Sequence, residues 1–570
     1  MLEKSSSPFI NQIHLQRLKQ LCMRYPVSEQ CATDIQTLAE QLSCSDRNVT
    51  KLIKTLTSLG WLSWEPGLGR GHKSKLTINV SFETALIREL ENYCFKGQLS
   101  EAARYADQFG YYDVFRNNLP KWLHRAQEAL KIQNHLAMLA PYCLPELHPL
   151  KAIRPISRPY IDGLFDTLLS YDKASDSVKP NLAHYFEFRG AELWLRLRDD
   201  VYFHNGEHLS PNHVVQCLEA LVSYPHSKQL LYRHIRTVYA DGRWIVLQME
   251  FADPMILRML ADTHAAIYLE SRDSQIPIGT GVFQLEVDPS ISGPVDNTSH
   301  THWSLIKNPH YFAVNALIDK IECWTIDSTS TDIHAHITHH GYSTSIPSAS
   351  VNKTLSMGCE VMEFIYKEDM LSMDEKAWLI RHAREFCNNS SNNHAPVANC
   401  VSGLHQERVI HLYHPTMARP ERDIKVWCAD LNRTHYLELI EHWRQQGANM
   451  TLLPYQDSDN ADIAMGIYAA QEDYVLNYYK WFLCSDAFDD CLSPEQQKTI
   501  VAFVDRVLES SSDINHLIDE LHRCEDWMVQ QGISIPLWRT STAYHFSETI
   551  KGADIDSMGL ISFKKLWTKD

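Results

Sequence analysis

Apolar residues at positions 35, 38, 39 and 42 fall on one stripe of the stretch 33–42, the spacing of an amphipathic helix. Residues 43–46 read as a turn, with Ser45 as N-cap of a second helix. That helix buries Val49, Leu52, Ile53, Leu56 and Leu59 and stops at Gly60. Residues 61–64 and 75–78 then alternate as two short strands around a glycine-rich tip, 65–74. Three further stretches, 82–91, 99–109 and 122–139, return to helical spacing, and Pro141 and Pro145 mark a boundary after them.

Beyond that boundary the period shifts toward two. Residues 191–198 and 244–250 read as strands, and Ser210 with Pro211 opens a helix over 212–222. Residues 251–254 open another helix, and 277–285 is a glycine turn entering a strand. Later, 423–428, 450–453 and 535–538 read as strands and 436–446 as a helix. The chain is therefore expected to be α/β overall. Residues 1–80 form a winged helix-turn-helix, 81–145 a helical connector and 146–570 a large mixed body.

The second helix of the head divides by face. Arg47, Lys51, Lys54 and Ser58 recur away from the apolar stripe, the placement a major groove requires. Arg47 and Asn48 stand in the first turn, where guanidinium and amide groups can read guanine and adenine, and Ser45 precedes them. Lys51 and Lys54 suit phosphate, as do Arg70, His72, Lys73 and Lys75 at the hairpin. The glycines at 67, 69 and 71 lack the flanking strand and Gly-Lys-Ser ending of a nucleotide loop.

Charge separates head from body. Residues 1–80 hold ten Lys/Arg against six Asp/Glu, a balance of +4 within a chain of net charge −17. A basic head on an acidic body suits a protein whose head alone meets double-stranded promoter DNA. No run of 18 apolar residues appears, so no membrane partner is expected. The first residues lack a secretory pattern and the 14 cysteines form no Cys-x-x-Cys pair, which together point to a reducing cytoplasm.

The body carries a resemblance. Residues 180–183, the run 201–211 and Ile278-Gly279-Thr280-Gly281 resemble the motifs of family 5 solute-binding proteins, the peptide- and nickel-binding type. With the head in front, and with residues 42–48, 60–64, 69–71 and 558–567, the chain is similar to the SgrR family, regulators associated with sugar-phosphate stress. The resemblance covers nearly the whole chain. It implies a two-lobed, periplasmic-binding-protein-like (type II) body that senses a small-molecule effector, a sugar phosphate first and a short peptide second. Arg154 and Arg158 precede the first helix of that body, and a guanidinium pair suits a phosphate or carboxylate. A solvated loop or a salt bridge fits the pair equally well.

The histidines at 334, 336, 339 and 340 have no carboxylate or cysteine at ligand spacing, so no metal is expected there. No Gly-x-Ser-x-Gly elbow, His-Glu-x-x-His or phosphate loop is present, so neither an enzyme nor a cofactor is expected. Two other readings stay open: a cytoplasmic binding or protein-interaction module without sequence-specific DNA binding, and a peptide-sensing regulator.

Overall fold

The structure, a computed structural model, describes residues 12–67, 72–271, 276–288, 300–326, 337–339, 351–389, 396–402, 416–429, 434–468, 473–547, 549–553 and 560–569. The chain divides into two units, one built on residues 1–139 and the other holding most of 140–570.

In the first unit, Asp34 caps helix Ile35–Leu42 by accepting the Thr37 amide at 2.8 Å. Helix Asp46–Ser58 follows, and Gly60 closes it at φ +71, a left-handed conformation that lets the Trp61 amide reach back to the Leu56 carbonyl. Strands Leu62–Glu65 and Ser74–Ile78 pair antiparallel as the wing. Two elements were not anticipated from the sequence: helix Gln12–Cys22, and strand Gln30–Thr33, which pairs with Ser74–Ile78 and makes the wing three-stranded. The helix buries Leu15, Leu18 and Leu21, one stripe at three-residue spacing.

Helices Phe82–Phe95, Leu99–Phe109 and Tyr112–Ile132 come next. The helical reading of 122–139 is wrong over its last third. The helix ends at Ile132, Asn134 turns left-handed at φ +55, and His135–Ala140 is a strand. Leu136 to Ala140 are all buried, and tertiary burial overrides the helix propensity of a Leu-Ala-Met run. Buried residues from Leu15 to Leu139 form one continuous core with Trp324 and Ile326. The Trp324 ring meets Phe115 edge-on at 5.4 Å.

The second unit holds two sheets that matter for the site. In the first lobe, strands Ala183–Arg189, Glu192–Leu197, Trp244–Met249 and Ile235–Asp241 lie in that order, all antiparallel. Helix Pro211–Ser223 starts where Ser210 and Pro211 indicated, and Ser210 and His213 form a reciprocal capping box. In the second lobe, strands Ser534–Phe546, Val351–Phe364, Ile463–Tyr468, Ile424–Cys428 and Met450–Leu452 are adjacent in that order. The last three are parallel, as a sheet covered by helices requires. Helices Met373–Asn389 and Thr434–Gln445 supply buried residues to its core. The strand expected around 535–538 is the first part of Ser534–Phe546 in this sheet. The short turn Phe563–Lys565 brings Phe563 onto Tyr160, with ring centroids 5.2 Å apart.

Glu363, on Val351–Phe364, is buried and accepts a hydrogen bond from Ser534 Oγ at 3.1 Å. Burial, and then Asp486 and Asp490, push its carboxyl from 4.5 up to about 8. Between those values the folded chain binds the extra proton, so stability falls as pH rises through that window and levels above it. Glu363→Gln keeps the shape and the Ser534 bond. It is expected to raise the melting temperature at about pH 9 and to leave it nearly unchanged at about pH 5, checked by thermal denaturation at both.

Candidate DNA interface and solute pocket

On helix Asp46–Ser58, Val49, Ile53 and Leu56 are buried while Arg47, Asn48, Lys51, Lys54 and Ser58 are exposed on other faces. Ser45 occupies the N-cap position with extended backbone, but its hydroxyl makes no capping bond. Its carbonyl takes the Asn48 and Val49 amides instead, at 2.8 and 3.0 Å. The hydroxyls of Thr50, Thr55 and Ser58 bond back to the carbonyls of Asp46, Lys51 and Thr55. These three hydroxyls are thus spent on the backbone, and the exposed charged and amide side chains are donors that face outward. Arg17 belongs to the scaffold: its guanidinium donates to the Leu42 carbonyl at 2.5 Å, satisfying the end of the preceding helix.

At the wing, His72, Lys73 and Lys75 are exposed. Lys75 stands in register opposite Glu65, with Nζ 3.8 Å from the carboxylate, a contact that offsets part of its charge at the surface. Arg70 lies outside the described residues, as do His334, His336 and His340. Among the described residues no cluster of three metal-ligating side chains occurs, and no helix is long and apolar enough to cross a membrane.

The body contains a cavity of about 140 Å³. Helix Arg158–Leu164 supplies one wall, and backbone packing fixes that helix. A Cβ on Gly279 would fall 1.9 Å from the Leu164 carbonyl oxygen, and one on Gly281 2.4 Å from that of Gly163. Only glycine admits this approach, and the Gly281 amide uses it to donate to the Leu164 carbonyl at 3.0 Å. Of the two arginines singled out in the sequence, Arg158 lines the cavity, and Arg154 is exposed and is not among its lining residues.

Sequence reasoning missed the other charged groups of the wall. Arg258 donates to Asp473 at 2.8 Å and to Asp176 at 2.9 Å. Lys564 lies 3.2 Å from Asp162 and 4.0 Å from Asp166. Asp166 also accepts from Thr280 and Tyr311, both at 3.0 Å. Lys480, on the almost wholly buried helix Tyr474–Cys484, reaches Asp262 at 2.7 Å. The second Asp262 oxygen is 2.9 Å from His264, whose other nitrogen is 2.6 Å from the Tyr232 hydroxyl. Burial pushes Asp262 up, but Lys480, His264 and Arg158 outweigh it and hold its carboxyl well below the usual range. At Asp473 burial prevails over Arg258 and raises the carboxyl. A local pattern does mark Asp473, an Asp before a mostly apolar helix, where it caps the Leu476 amide at 2.9 Å.

Removing one partner of a buried ion pair strands the other charge. Lys480→Met is therefore expected to destabilise the full chain by about 3–5 kcal/mol, against under about 0.5 kcal/mol for Arg154→Gln, measured by urea denaturation.

Comparison with known proteins places these two regions. Residues 14–127 match the family described as Sugar transport-related sRNA regulator N-term, and residues 178–356 match Bacterial extracellular solute-binding proteins, family 5 Middle. The chain is 24% identical over 312 residues to the HTH-type transcriptional regulator SgrR of Yersinia enterocolitica, covering 53% of this chain and 52% of that protein. It is 22% identical over 308 residues to the SgrR of Salmonella choleraesuis, covering 53% and 52%. The match thus spans about half the length of these curated relatives. Among solved structures, the dipeptide binding protein from Pseudoalteromonas sp. SM9913 in complex with Met-Leu superposes with TM-score 0.62 at 14% identity, over 76% of this chain and all of that one. NikZ from Campylobacter jejuni in complex with Ni(L-His) gives 0.59 at 14% identity, over 76% and 99%. The chain therefore carries the N-terminal domain of SgrR-type regulators followed by a family 5 solute-binding-protein domain.

Proposed function

We propose that this protein is a cytoplasmic, DNA-binding transcription regulator, and that a small polar solute held in the body's cavity alters its affinity for promoter DNA. One observation carries the DNA half. Helix Asp46–Ser58 is anchored by Val49, Ile53 and Leu56 and presents Arg47, Asn48, Lys51 and Lys54 to solvent. Arg47 and Asn48, in the first turn, are assigned to base edges; Lys51, Lys54, His72, Lys73 and Lys75 are assigned to phosphates. Arg70 joins them by its place in the sequence alone.

The sensing half rests on the cavity, its charged wall, and the likeness of the body to ligand-binding structures. The sugar-phosphate expectation came from the family resemblance, with the guanidinium pair as its physical motive. Arg158 alone of that pair lines the cavity, and it acts on Asp262. A solute shifts the regulator only through its differential affinity for two conformations of the body, so tight binding by itself changes nothing.

The purified full chain is expected to retard promoter DNA with an affinity that falls steeply with salt. Arg47→Ala is expected to relax discrimination at particular base pairs by about 1–3 kcal/mol each, whereas Lys54→Ala weakens all sequences alike. Mobility-shift titrations on specific and scrambled duplexes separate the two. A full chain that folds but binds no promoter DNA at low salt would defeat the reading.

A further inference from the structure

His234 follows the short turn Gln229–Tyr232 and leads into strand Ile235–Asp241 of the first lobe's sheet. It is only 4% exposed, and its ring packs on Phe251 with centroids 4.6 Å apart. Nδ1 lies 2.9 Å from Asp253 Oδ2, and Nε2 lies 3.1 Å from Asp505 Oδ1. Carboxylate oxygens only accept hydrogen bonds, so a ring that meets one at each nitrogen donates from both. That form is the imidazolium; a neutral ring can keep only one of the two bonds.

The two carboxylates belong to different parts of the body. Asp253 stands just after strand Trp244–Met249 of the same sheet, and its other oxygen accepts the Met255 amide at 2.8 Å. Asp505 is on helix Pro494–Ser510, 271 residues away in sequence. That helix packs on Ile514–Gln530, which runs into strand Ser534–Phe546 of the second lobe's sheet. Asp505 Oδ1 also takes Arg233 Nε at 2.8 Å, and Arg233 Nη1 donates to the Tyr479 hydroxyl at 3.3 Å. The groups facing the ring's polar edge are therefore Asp253, Asp505, Arg233 and Tyr479. Arg233 keeps its charge at every physiological pH, whereas an imidazole changes charge there. We infer that His234 is a proton-operated latch between the two lobes. Protonated, it bridges Asp253 and Asp505. Once the proton is lost, the bond to Asp505 is the one that yields. Asp253 is 1% exposed and would be left with a buried oxygen lacking its donor, while Asp505 retains Arg233 and partial access to water. The lobes are thus tied more firmly at acid pH, and the proton acts on the body independently of any solute.

A double-mutant cycle on the full chain tests the latch, with His234→Gln, Asp505→Asn and the pair unfolded in urea at about pH 5.5 and about pH 8.5. The coupling between the two positions should shift the unfolding equilibrium about tenfold at the lower pH and vanish at the higher. Asp505→Asn also releases Arg233, so a second cycle pairs it with Arg233→Gln. That coupling should be the same at both pH values, because the guanidinium does not titrate. A coupling between positions 234 and 505 that is equal at the two pH values, or absent at both, overturns the inference; a purely structural contact gives the first result. Hydrogen exchange in helix Pro494–Ser510 decides the matter if the double variant does not fold. After correction for the intrinsic pH dependence of exchange, protection in the parent chain should fall between the lower and the higher pH, and in His234→Gln it should not. Parallel behaviour of parent and variant overturns the latch.

Discussion

The pairing of Lys480 with Asp262 is the interaction on which the body's site depends. Both side chains are buried, Lys480 on a helix that is almost wholly interior and Asp262 on the wall of the cavity. A charge removed from water survives only with a partner and satisfied hydrogen bonds, and here the chain continues through His264 to Tyr232. The same rule governs Arg258 with Asp473 and Lys564 with Asp162. Each pair joins segments far apart in sequence, so folding the two lobes together and building the pocket wall are one event.

Steric fit is the second constraint, and it acts through absence. Gly279 and Gly281 let the strand entry lie against the carbonyls of helix Arg158–Leu164, which sets where Arg158 and Asp162 stand. His204 reinforces the junction: its amide bonds to the Gly279 carbonyl at 2.9 Å, and its ring nitrogen lies 3.0 Å from that of Gly281. Burial, ahead of those contacts, holds the His204 imidazole below its ordinary pKa, which favours the neutral ring.

The local elements of the fold were largely legible, because periodicity and caps are local signals. Helix Asp46–Ser58, its glycine stop, and the Ser210–Pro211 helix start all stand where the residues put them. Strand His135–Ala140 was hidden because Leu, Ala and Met favour a helix until packing decides otherwise. Helix Gln12–Cys22 was readable from Leu15, Leu18 and Leu21 and was overlooked. The site was far less legible. Arg158 stands in a short motif near a proline, but Arg258, Asp473 and Lys564 reach the cavity from segments more than 80 residues apart. Nothing in their spacing records that meeting, since each is satisfied by a tertiary partner.

On helix Asp46–Ser58 the hydroxyls of Thr50, Thr55 and Ser58 are turned onto their own backbone, and the anchoring residues Val49, Ile53 and Leu56 lie on the inner face. The surface and the support of this helix are thus separate sets of residues. A lineage can rewrite the outward residues one at a time without repacking the domain, because surface changes seldom perturb stability. A helix of this build can change the groups it presents while the scaffold that displays it stays fixed.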